Sequence, residues 1–423
     1  RFVLPHSPQD RPAWLIRLGL FLYDHLGGRK RLPPTRVLDL RSSTEGEALR
    51  DEFSKGFEYS DCWVDDARLV VLNAMDARER GATILPRTRF VGARREQGGW
   101  VVETRTQDNA AQFHRARILV NAAGPWVNQV LDQVIDADSN RQVRLVKGSH
   151  LVIPKFWQGQ HAYLIQNQDR RVIFVNPYEG DFALIGTTDI PQQGAPDSAE
   201  VETGEVDYLL DTVNRYFNVS LQASDVIESF AGVRPLFDDK SDNPSAVTRD
   251  YVFDIDGDAD TPPLVSVFGG KITTFRKLAE HALDKLDPWI PDKLPRWTRS
   301  AHLPGGDMED ADFDRFLAGL TSRYPQQSES LLRHYARLYG TRVHVLLNEK
   351  AAPADLGEAF APDFHEVEAR YLIEHEWATT AEDILQRRTK HGLHMNEQQK
   401  QRFSQWCQAN GISASTEASL AVQ

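Results

Sequence analysis

The apolar residues near the start of the chain recur at helical spacing. Within residues 11–27 they would share one face of a helix, and they are Trp14, Leu15, Leu18, Phe21, Leu22 and Leu26. A packed surface helix fits this pattern. A basic, tryptophan-bearing helix lying on a membrane also fits it, because Arg11 and Arg17 lie on or beside the same face. The pattern alone leaves both interpretations open.

A second helix is predicted over residues 61–80, where Gly81 follows as a C-terminal glycine would. Short β-type runs come next, and they read ATIL, RFVGARRE and GWVVETRT. Residues 115–126 (RARILVNAAGPW) then combine a buried strand with a tight turn of small residues. Four further runs, with turn residues between them, predict an antiparallel sheet: SHLVIPKF, HAYLIQN, RRVIFVNPY and FALIGTTD.

The pattern becomes mainly helical towards the C-terminal end. A helix is predicted over about 202–217, and a strand, a turn and a helix over 264–286. Residues 287–307 are rich in proline and glycine, which marks a boundary. From about residue 308 onward, every strongly periodic segment predicts a helix.

Composition excludes some classes of function. The chain has 423 residues, enough for two or three domains, and a net charge of −12, which argues against general binding to nucleic acid. Its two cysteines, Cys62 and Cys407, give neither a metal spacing nor a disulfide framework. The histidines show no H-x-x-x-H pattern, so no metal site is predicted. No apolar run approaches the roughly 18 to 20 residues needed to cross a bilayer, and we expect no secretory signal.

A glycine-rich turn, FGGKITTFRK at residues 268–277, is the strongest chemical signal in the chain. It is not a nucleotide-triphosphate loop, because Ile272 follows Lys271 where that motif needs serine or threonine. Two glycines still leave backbone N–H groups uncovered, and Thr273 and Thr274 can cap the helix behind them. Such a helix start suits an oxyanion or the edge of an electron-rich ring. An ordinary capped turn is the alternative.

Basic residues elsewhere could complete an anion site. Arg234 and Arg249 lie in the segment 231–251, and arginine binds phosphate through two hydrogen bonds while staying charged. With Lys271 they would form a local clamp. Surface ion pairing with nearby aspartates is the alternative for each arginine. Lys147 and His150 come just before a predicted strand, and His150 could serve as a general base or be a structural residue.

Several motifs together resemble the aerobic, FAD-dependent glycerol-3-phosphate dehydrogenases. They are FEYSDCWVDDARLV, LVNAAGPWV, KGSHLVIP, LIGTTD, GVRPL, TRDY, FGGKITTFRKLAEHAL and YLIEHEWATTAEDILQRRTK. The resemblance covers nearly the whole chain. Glycine turns recur across the wider glycine-oxidase-like superfamily, whereas SDCWVDDARL and EHEWATTAEDILQRRT are far more specific to this family.

The resemblance implies oxidation of sn-glycerol 3-phosphate to dihydroxyacetone phosphate, with electrons passing through FAD to a membrane quinone. His150 would take the proton of the C2 hydroxyl while hydride moves from C2 to the flavin. Arg234, Arg249 and Lys271 would hold the substrate phosphate, and Arg234 and Lys271 would also steady the developing oxyanion.

The resemblance also assigns the cofactor-binding residues. The pyrimidine edge of the flavin would lie along the turn formed by Gly269, Gly270, Lys271, Ile272 and Thr273. Gly124 and its neighbour Trp126 would border the diphosphate and ribose of FAD. The strand near Phe90 would meet the adenine through backbone groups.

The implied fold is α/β (α+β), of the glycine-oxidase-like flavoprotein type. Its FAD-binding domain would comprise 60–145 and 240–290, its antiparallel substrate or cap domain 1–59 and 146–239, and its helical C-terminal domain 300–423. The resemblance further implies a membrane quinone and peripheral membrane contact, at the cytoplasmic face of the cell membrane, with a homodimer as one option. No nucleic-acid partner is expected.

One family feature is missing from the sequence. The family opens with a strand, a G-x-G-x-x-G turn and a helix that hold the FAD pyrophosphate, and this chain contains no such motif. We therefore expect that segment to precede Arg1. Two other hypotheses stay open: a different flavin-dependent oxidase acting on an amino acid or hydroxy acid, and an FAD-free binding or regulatory module.

Overall fold

The computed structural model describes residues 1–7, 11–26, 32–135, 139, 141–238, 250–258, 260–292, 294–348 and 352–413. The strands in these ranges are β1 (Phe2–His6), β2 (Arg36–Asp39), β3 (Lys55–Tyr59), β4 (Arg89–Glu96), β5 (Gly99–Arg105), β6 (Ala111–Ala116), β7 (Leu119–Asn121), β8 (Val143–Pro154), β9 (Ala162–Gln166), β10 (Val172–Tyr178), β11 (Phe182–Gly186), β12 (Ile190–Pro191), β13 (Glu228–Phe237), β14 (Tyr251–Asp256), β15 (Leu264–Gly269), β16 (Ala359–Ala361) and β17 (Phe364–His365).

The α-helices in the same ranges are α1 (Ala13–Leu26), α2 (Asp66–Glu79), α3 (Val127–Asp132), α4 (Thr203–Tyr216), α5 (Phe275–Lys285), α6 (Phe313–Arg323), α7 (Glu329–Tyr339), α8 (Val343–Leu347), α9 (Glu366–Glu376) and α10 (Glu397–Ala409). The chain divides into two compact units. The first contains Arg1–Trp63, Arg94–Trp100 and Ala116–Thr274, and the second contains Val64–Ala93, Val101–Arg115 and Phe275–Gln423.

A large, mostly antiparallel sheet dominates the first unit. Its strand order is β12-β8-β11-β10-β9-β1-β3-β2, and β13 also pairs with β8. Helix α4 packs on the sheet through Leu209, Leu210 and Val213, which are buried together with the inward side chains of the strands. Burial of this apolar face is the main force that fixes the strand register, because a slip of one residue would turn the whole face towards water.

A second, smaller sheet lies in the same unit, with the order β14-β15-β7. β15 runs parallel to β7, with Val265 beside Val120 and Ser266 beside Asn121. Strand β15 is buried along most of its length, as its mainly apolar sequence predicts. The carboxyl ends of β7 and β15 therefore lie at the same edge of this sheet. Elsewhere in the fold, β4, β5 and β6 form a third sheet in that order.

The second unit is mainly helical. Its core is one cluster of buried apolar side chains that includes Leu332, Leu372 and Phe403. A buried ion pair crosses it: Arg68 Nη2 lies 2.9 Å from Glu376 Oε1, and Glu376 is fully buried. The two charges must be paired there, because removal of either one would leave the other uncompensated in an apolar interior.

Many of the elements predicted from periodicity are confirmed. Helix α1, helix α4, strands β4, β5 and β8 to β11, and the strand, turn and helix ending in α5 all occur where the sequence indicates them. Three details differ. Residues 82–85 (ATIL) form no strand. Lys147 and His150 lie inside β8 rather than before it. In the segment 380–393, Asp383–Arg388 adopts a wider π-helical turn instead of a regular α-helix.

Helix α1 carries much of its apolar surface exposed. Trp14 is 68% exposed and Phe21 is 56% exposed. Among the helices of the described ranges, none is both long enough and apolar enough to cross a bilayer.

Candidate active site

Strand β8 presents two different faces, because successive side chains of a strand point to opposite sides of the sheet. Lys147 and Ser149 point to one side, where both are buried. Gly148 and His150 point to the other side. In the KGSH sequence, Lys147 and Ser149 are therefore buried behind the sheet, whereas Gly148 and His150 face the candidate site.

Strand β13 continues the second face, because directly opposed residues of antiparallel strands project on the same side. The facing pairs are His150 with Phe230, Gly148 with Gly232, and Val146 with Arg234. The pairing thus brings two of the predicted site residues, His150 and Arg234, onto one face of one sheet. Between them lie two glycines that we call the glycine gap (Gly148 and Gly232).

The imidazole of His150 is held by its neighbours on both sides. Its ring stacks on Phe230, with 5.2 Å between centroids and 15° between planes. On the β11 side it occupies the space above Gly186, where a Cβ would lie only 2.1 Å from His150 Cδ2. Any side chain at Gly186 would displace the ring. The glycine of LIGTTD is therefore needed for the position of His150.

The guanidinium of Arg234 reaches back over Gly148. Its Nη2 donates to the carbonyl oxygen of Thr188 at 2.8 Å and lies 2.8 Å from Asp189 Oδ1. A Cβ at Gly148 would lie 2.5 Å from the same Nη2, so only glycine leaves room for it. Arg234 remains 37% exposed, so a ligand can still reach the guanidinium. The arginine is thus aimed along the strand towards His150.

The glycine gap is open above Gly232. Among the described residues, no heavy atom beyond its chain neighbours lies within 4 Å of the position that a Cβ on Gly232 would occupy. Residues two apart on a strand are separated by about 7 Å, which is the distance along β8 from Gly148 to His150. This space suits a small ligand with an anion at one end and a hydroxyl group at the other.

A buried polar network supports this face from behind. Glu205 Oε1 accepts hydrogen bonds from Ser149 Oγ at 2.8 Å and from Thr188 Oγ1 at 2.7 Å. Lys147 Nζ lies 2.9 Å from Glu205 Oε2. Burial alone would raise the pKa of Glu205, but the hydrogen bonds from Thr188, Lys147 and Ser149 lower it overall, so the carboxylate is charged. The network fixes Thr188, whose carbonyl oxygen holds Arg234.

The glycine turn after β15 needs both of its glycines. Gly269 and Gly270 have φ angles of 72° and 97°, in the region that side-chain-bearing residues rarely adopt. A Cβ on Gly269 would also lie 3.1 Å from the backbone nitrogen of Phe237, at the end of β13. Thr274 closes the turn, because its N–H and its hydroxyl both donate to the carbonyl oxygen of Lys271, at 2.9 and 2.7 Å. The Lys271 side chain is exposed.

A second turn lies at the same edge as the first. β7 ends in Asn121, whose side-chain amide donates to the carbonyl oxygen of Val127 at 2.9 Å and holds the turn through Gly124 and Trp126 in place. This turn contacts β13 and β15. Among the described residues, a Cβ on Gly124 would meet no heavy atom within 4 Å. Ligands of α/β sheets bind at the carboxyl ends of parallel strands, which is the position of both turns.

The structure brings some of the predicted site residues together and leaves others apart or undescribed. His150 and Arg234 share one face of the large sheet, and Lys271, Ile272 and Thr273 follow the Gly269-Gly270 turn in the same unit. Phe90 belongs to β4 in the part of the chain assigned to the second unit, and its role stays a prediction. Arg249 lies outside the described residues.

Comparison with known proteins shows which protein family this chain is similar to. Residues 1–274 match the family described as FAD dependent oxidoreductase. The chain belongs to the FAD-dependent oxidoreductase family. Residues 296–408 of this flavoprotein match a second family, described as the C-terminal domain of alpha-glycerophosphate oxidase.

Three proteins illustrate the similarity. The flavoprotein is 58% identical over 407 residues to the D-erythritol 1-phosphate dehydrogenase of Brucella abortus, covering 96% of this chain and 81% of the relative. It is 48% identical over 407 residues to the aerobic glycerol-3-phosphate dehydrogenase of Escherichia coli, covering 96% of this chain and 80% of the relative. A crystal structure of glycerol-3-phosphate dehydrogenase from Bacillus halodurans with FAD superposes with a TM-score of 0.74 at 26% identity, covering 97% and 77% of the two chains.

These matches confirm the resemblance to the aerobic glycerol-3-phosphate dehydrogenases, the mixed α/β flavoprotein fold with a helical C-terminal domain, and FAD as the cofactor. The chain is therefore an enzyme of this type, which rules against an FAD-free binding module. The structure fits the cofactor: two glycine turns follow the carboxyl ends of the parallel strands β7 and β15, and among the described residues no heavy atom occupies the space beside Gly124.

Sequence reasoning missed several residues that shape the site. Gly148, Gly186 and Gly232 create the space for His150, Arg234 and a ligand, and Asp189 and Phe230 orient the two functional side chains. All of them lie in or beside the short motifs KGSH, LIGTTD and GVRPL. The clustering of small residues in those motifs was the available signal, but only the strand register shows which side chains the glycines accommodate.

Proposed function

We propose that this flavoenzyme oxidises the C2 hydroxyl of sn-glycerol 3-phosphate to give dihydroxyacetone phosphate. The observation that carries the proposal is the shared face of β8 and β13, on which His150 and Arg234 lie on either side of the glycine gap. A substrate phosphate beside Arg234 would direct its C2 hydroxyl towards His150. The names of the relatives from Escherichia coli and Bacillus halodurans support the same substrate.

Each residue has a defined task in this proposal. His150 accepts the C2 hydroxyl proton, and its stacking on Phe230 holds the imidazole in one orientation. Arg234 binds the phosphate, and Asp189 and the Thr188 carbonyl fix the guanidinium beforehand. Lys271 and Arg249 would add positive charge for the phosphate, and Arg234 and Lys271 would steady the developing alkoxide.

FAD supplies the hydride acceptor when bound. The residues proposed to hold it are Gly269, Gly270, Lys271, Ile272 and Thr273 at the flavin. Gly124, Trp126 and the Phe90 strand are proposed to hold the rest of the cofactor. The support is the position of the two glycine turns at the carboxyl ends of parallel strands.

A four-carbon substrate is the second candidate. The relative named D-erythritol 1-phosphate dehydrogenase is 58% identical to this chain, against 48% for the Escherichia coli enzyme over the same number of residues. The open space above Gly232 could accommodate an additional hydroxymethyl group. The two substrates share a terminal phosphate and an adjacent chain of hydroxyl groups, so the same clamp and base would serve both.

Steady-state dye reduction with FAD-loaded protein distinguishes the candidates. We expect glycerol 3-phosphate to be oxidised, and D-erythritol 1-phosphate is assayed beside it as the competitor. If kcat/KM for D-erythritol 1-phosphate is at least tenfold higher than for glycerol 3-phosphate, the four-carbon phosphate is the substrate. Protein that contains FAD but reduces no dye with either phosphate would contradict the proposal and favour an amino-acid or hydroxy-acid oxidase.

Substituting Gly232 by valine should lower kcat/KM more for the larger substrate, because the valine side chain would fill the glycine gap.

We also propose that the electrons pass to a membrane quinone and that the enzyme contacts the cytoplasmic face of the cell membrane through α1. The support is the exposed apolar face of that helix, where Leu18 is 47% exposed and Leu22 is 50% exposed in addition to the aromatic residues. Aromatic and aliphatic side chains with arginines beside them suit the boundary between headgroups and acyl chains. A homodimer stays a prediction.

Liposome co-sedimentation tests this contact. Changing Trp14 and Phe21 together to serine should lower the membrane-bound fraction several-fold, because both side chains would lose a favourable transfer into the interface. Phe113 is 64% exposed but lies on β6, so Phe113→Ser is a matched control that should bind as the unchanged protein does. Undiminished sedimentation of the double variant would show that α1 does not make the contact.

A further inference from the structure

Two histidines and a glutamate meet in the interior of the helical unit. His334 comes from α7, Glu368 from α9, and His391 from a short turn at His391–Leu393. His334 Nε2 lies 2.8 Å from Glu368 Oε1, and His391 Nε2 lies 3.3 Å from Glu368 Oε2. The two Nε2 atoms are 3.0 Å apart. The three side chains thus bring potential metal ligands within 4.8 Å of one another, one from each residue.

We propose that His334, Glu368 and His391 bind one divalent transition-metal ion of the zinc class. With metal–ligand bonds of about 2.0 to 2.1 Å, the ligand atoms of a tetrahedral site are separated by roughly 3.3 Å. The two nitrogens are 3.0 Å apart, and each lies 2.8 to 3.3 Å from one of the two carboxylate oxygens, which is close to that spacing. Both imidazoles direct Nε2, one of the two ring nitrogens through which histidine binds metals, towards the same carboxylate.

Burial supports a cation at this position. Glu368 is fully buried, and the side chains of His391 and His334 are 9% and 18% exposed. A carboxylate in such surroundings carries a large desolvation cost unless positive charge lies next to it. A metal ion would supply that charge and satisfy all three side chains together. His334 is the most exposed of the three proposed ligands.

The surroundings provide the outer hydrogen bonds that metal ligands use. The hydroxyl of Tyr339 donates to Glu368 Oε1 at 2.6 Å, which orients the carboxylate. The ring of His391 stacks on Phe364, with 4.7 Å between centroids. Both of these neighbours are aromatic, and they restrict the rotation of two of the three ligands.

The ligand set selects the class of metal. Two imidazole nitrogens and one carboxylate oxygen suit zinc and its neighbours in the first transition row, whereas Mg²⁺ and Ca²⁺ prefer oxygen ligands throughout. The sequence predicted no metal site because the three ligands are separated by 34 and 23 residues. An ion there would connect α7, α9 and the turn at 391–393, so its binding should stabilise the folded helical unit.

Metal content and binding test the proposal on the full chain. Protein stripped with a chelator and dialysed should bind one equivalent of Zn²⁺, and Co²⁺ in its place should give the visible absorption bands of a four- or five-coordinate site. His391→Ala and Glu368→Gln should abolish stoichiometric binding. Tyr339→Phe should weaken it by about 10- to 100-fold, as loss of an outer hydrogen bond to a ligand does. His302→Asn, at an exposed histidine of the same unit, should bind normally.

The outcomes separate a metal site from a hydrogen-bonded cluster. Added Zn²⁺ should raise the thermal unfolding midpoint of the unchanged protein and leave that of His391→Ala unaltered. Stripped, folded wild-type protein that binds neither Zn²⁺ nor Co²⁺ at micromolar concentration would overturn the proposal, whatever the variants do. Stoichiometric binding that survives in a folded Glu368→Gln variant would also overturn it, because the ion would then lie elsewhere.

Discussion

Replacement of His150 by asparagine should lower kcat for glycerol 3-phosphate by about 10²- to 10⁴-fold, the range that a positioned general base contributes. Asparagine keeps a planar polar group beside Phe230 but cannot take up the C2 hydroxyl proton. KM should change little, because the phosphate clamp is untouched. Steady-state dye reduction and the rate of flavin bleaching under anaerobic conditions both measure the effect.

His161→Asn is the control for this experiment. His161 belongs to the same unit and lies 2.8 Å from the hydroxyl of Tyr163, so its replacement disturbs a histidine contact without touching the candidate site. FAD content should be the same in both variants. If His150→Asn reduces its flavin at the unchanged rate, proton abstraction by His150 is excluded.

Replacement of Arg234 by alanine should lower kcat/KM for the phosphorylated substrate by roughly 10- to 150-fold, which corresponds to about 1.5 to 3 kcal/mol for a hydrogen bond to a charged group. Most of the loss should be in KM. Activity on unphosphorylated glycerol, however low, should fall by a smaller factor, because that substrate has no phosphate for the guanidinium to bind and loses only the contact to the developing oxyanion. The ratio of the two kcat/KM values is therefore the decisive measurement.

The control for the arginine is Arg171→Ala. Arg171 is 40% exposed, similar to Arg234, and it also lies near an aspartate, at 3.5 Å from Asp169. Its loss should leave both substrates unaffected. Equal losses on glycerol and on glycerol 3-phosphate in Arg234→Ala would mean that the arginine does not bind the phosphate. A partial effect of Asp189→Asn on KM alone would support its role in orienting Arg234.

The fold was predictable where one periodicity continued without interruption. Helix α4 and strands β9 to β11 follow the expected patterns of 3.6 and 2 residues. Strands β1 and β13 were not predicted, and both contain a proline, Pro5 and Pro235, that weakens a strand signal. In the structure Pro5 lies opposite Gly56 of β3, and Pro235 lies opposite Leu145 of β8. The residues before and after each proline also pair with the neighbouring strand, so the strand continues through the proline.

The candidate site was only partly predictable for a different reason. His150, Arg234 and Lys271 are visible in the sequence because charged and titratable groups stand out. The space between His150 and Arg234 is not visible, since it depends on Gly148 and Gly232 being opposed across two strands that are far apart in the chain. The His334, Glu368 and His391 cluster was missed in the same way. The first feature arises from strand register and the second from the packing of two helices and a turn, and no local sequence pattern encodes either.

The two faces of β8 limit how this enzyme can change during evolution. Deleting or inserting one residue before His150 would exchange the roles of the faces. The imidazole would then be forced into the buried network of Lys147 and Glu205, and a charged lysine would enter the glycine gap. New substrate preferences can therefore arise by substitution on the open face, as at Gly232, while the length of the strand has to stay constant. Laboratory libraries that vary side chains here should yield active enzymes far more often than libraries that vary length.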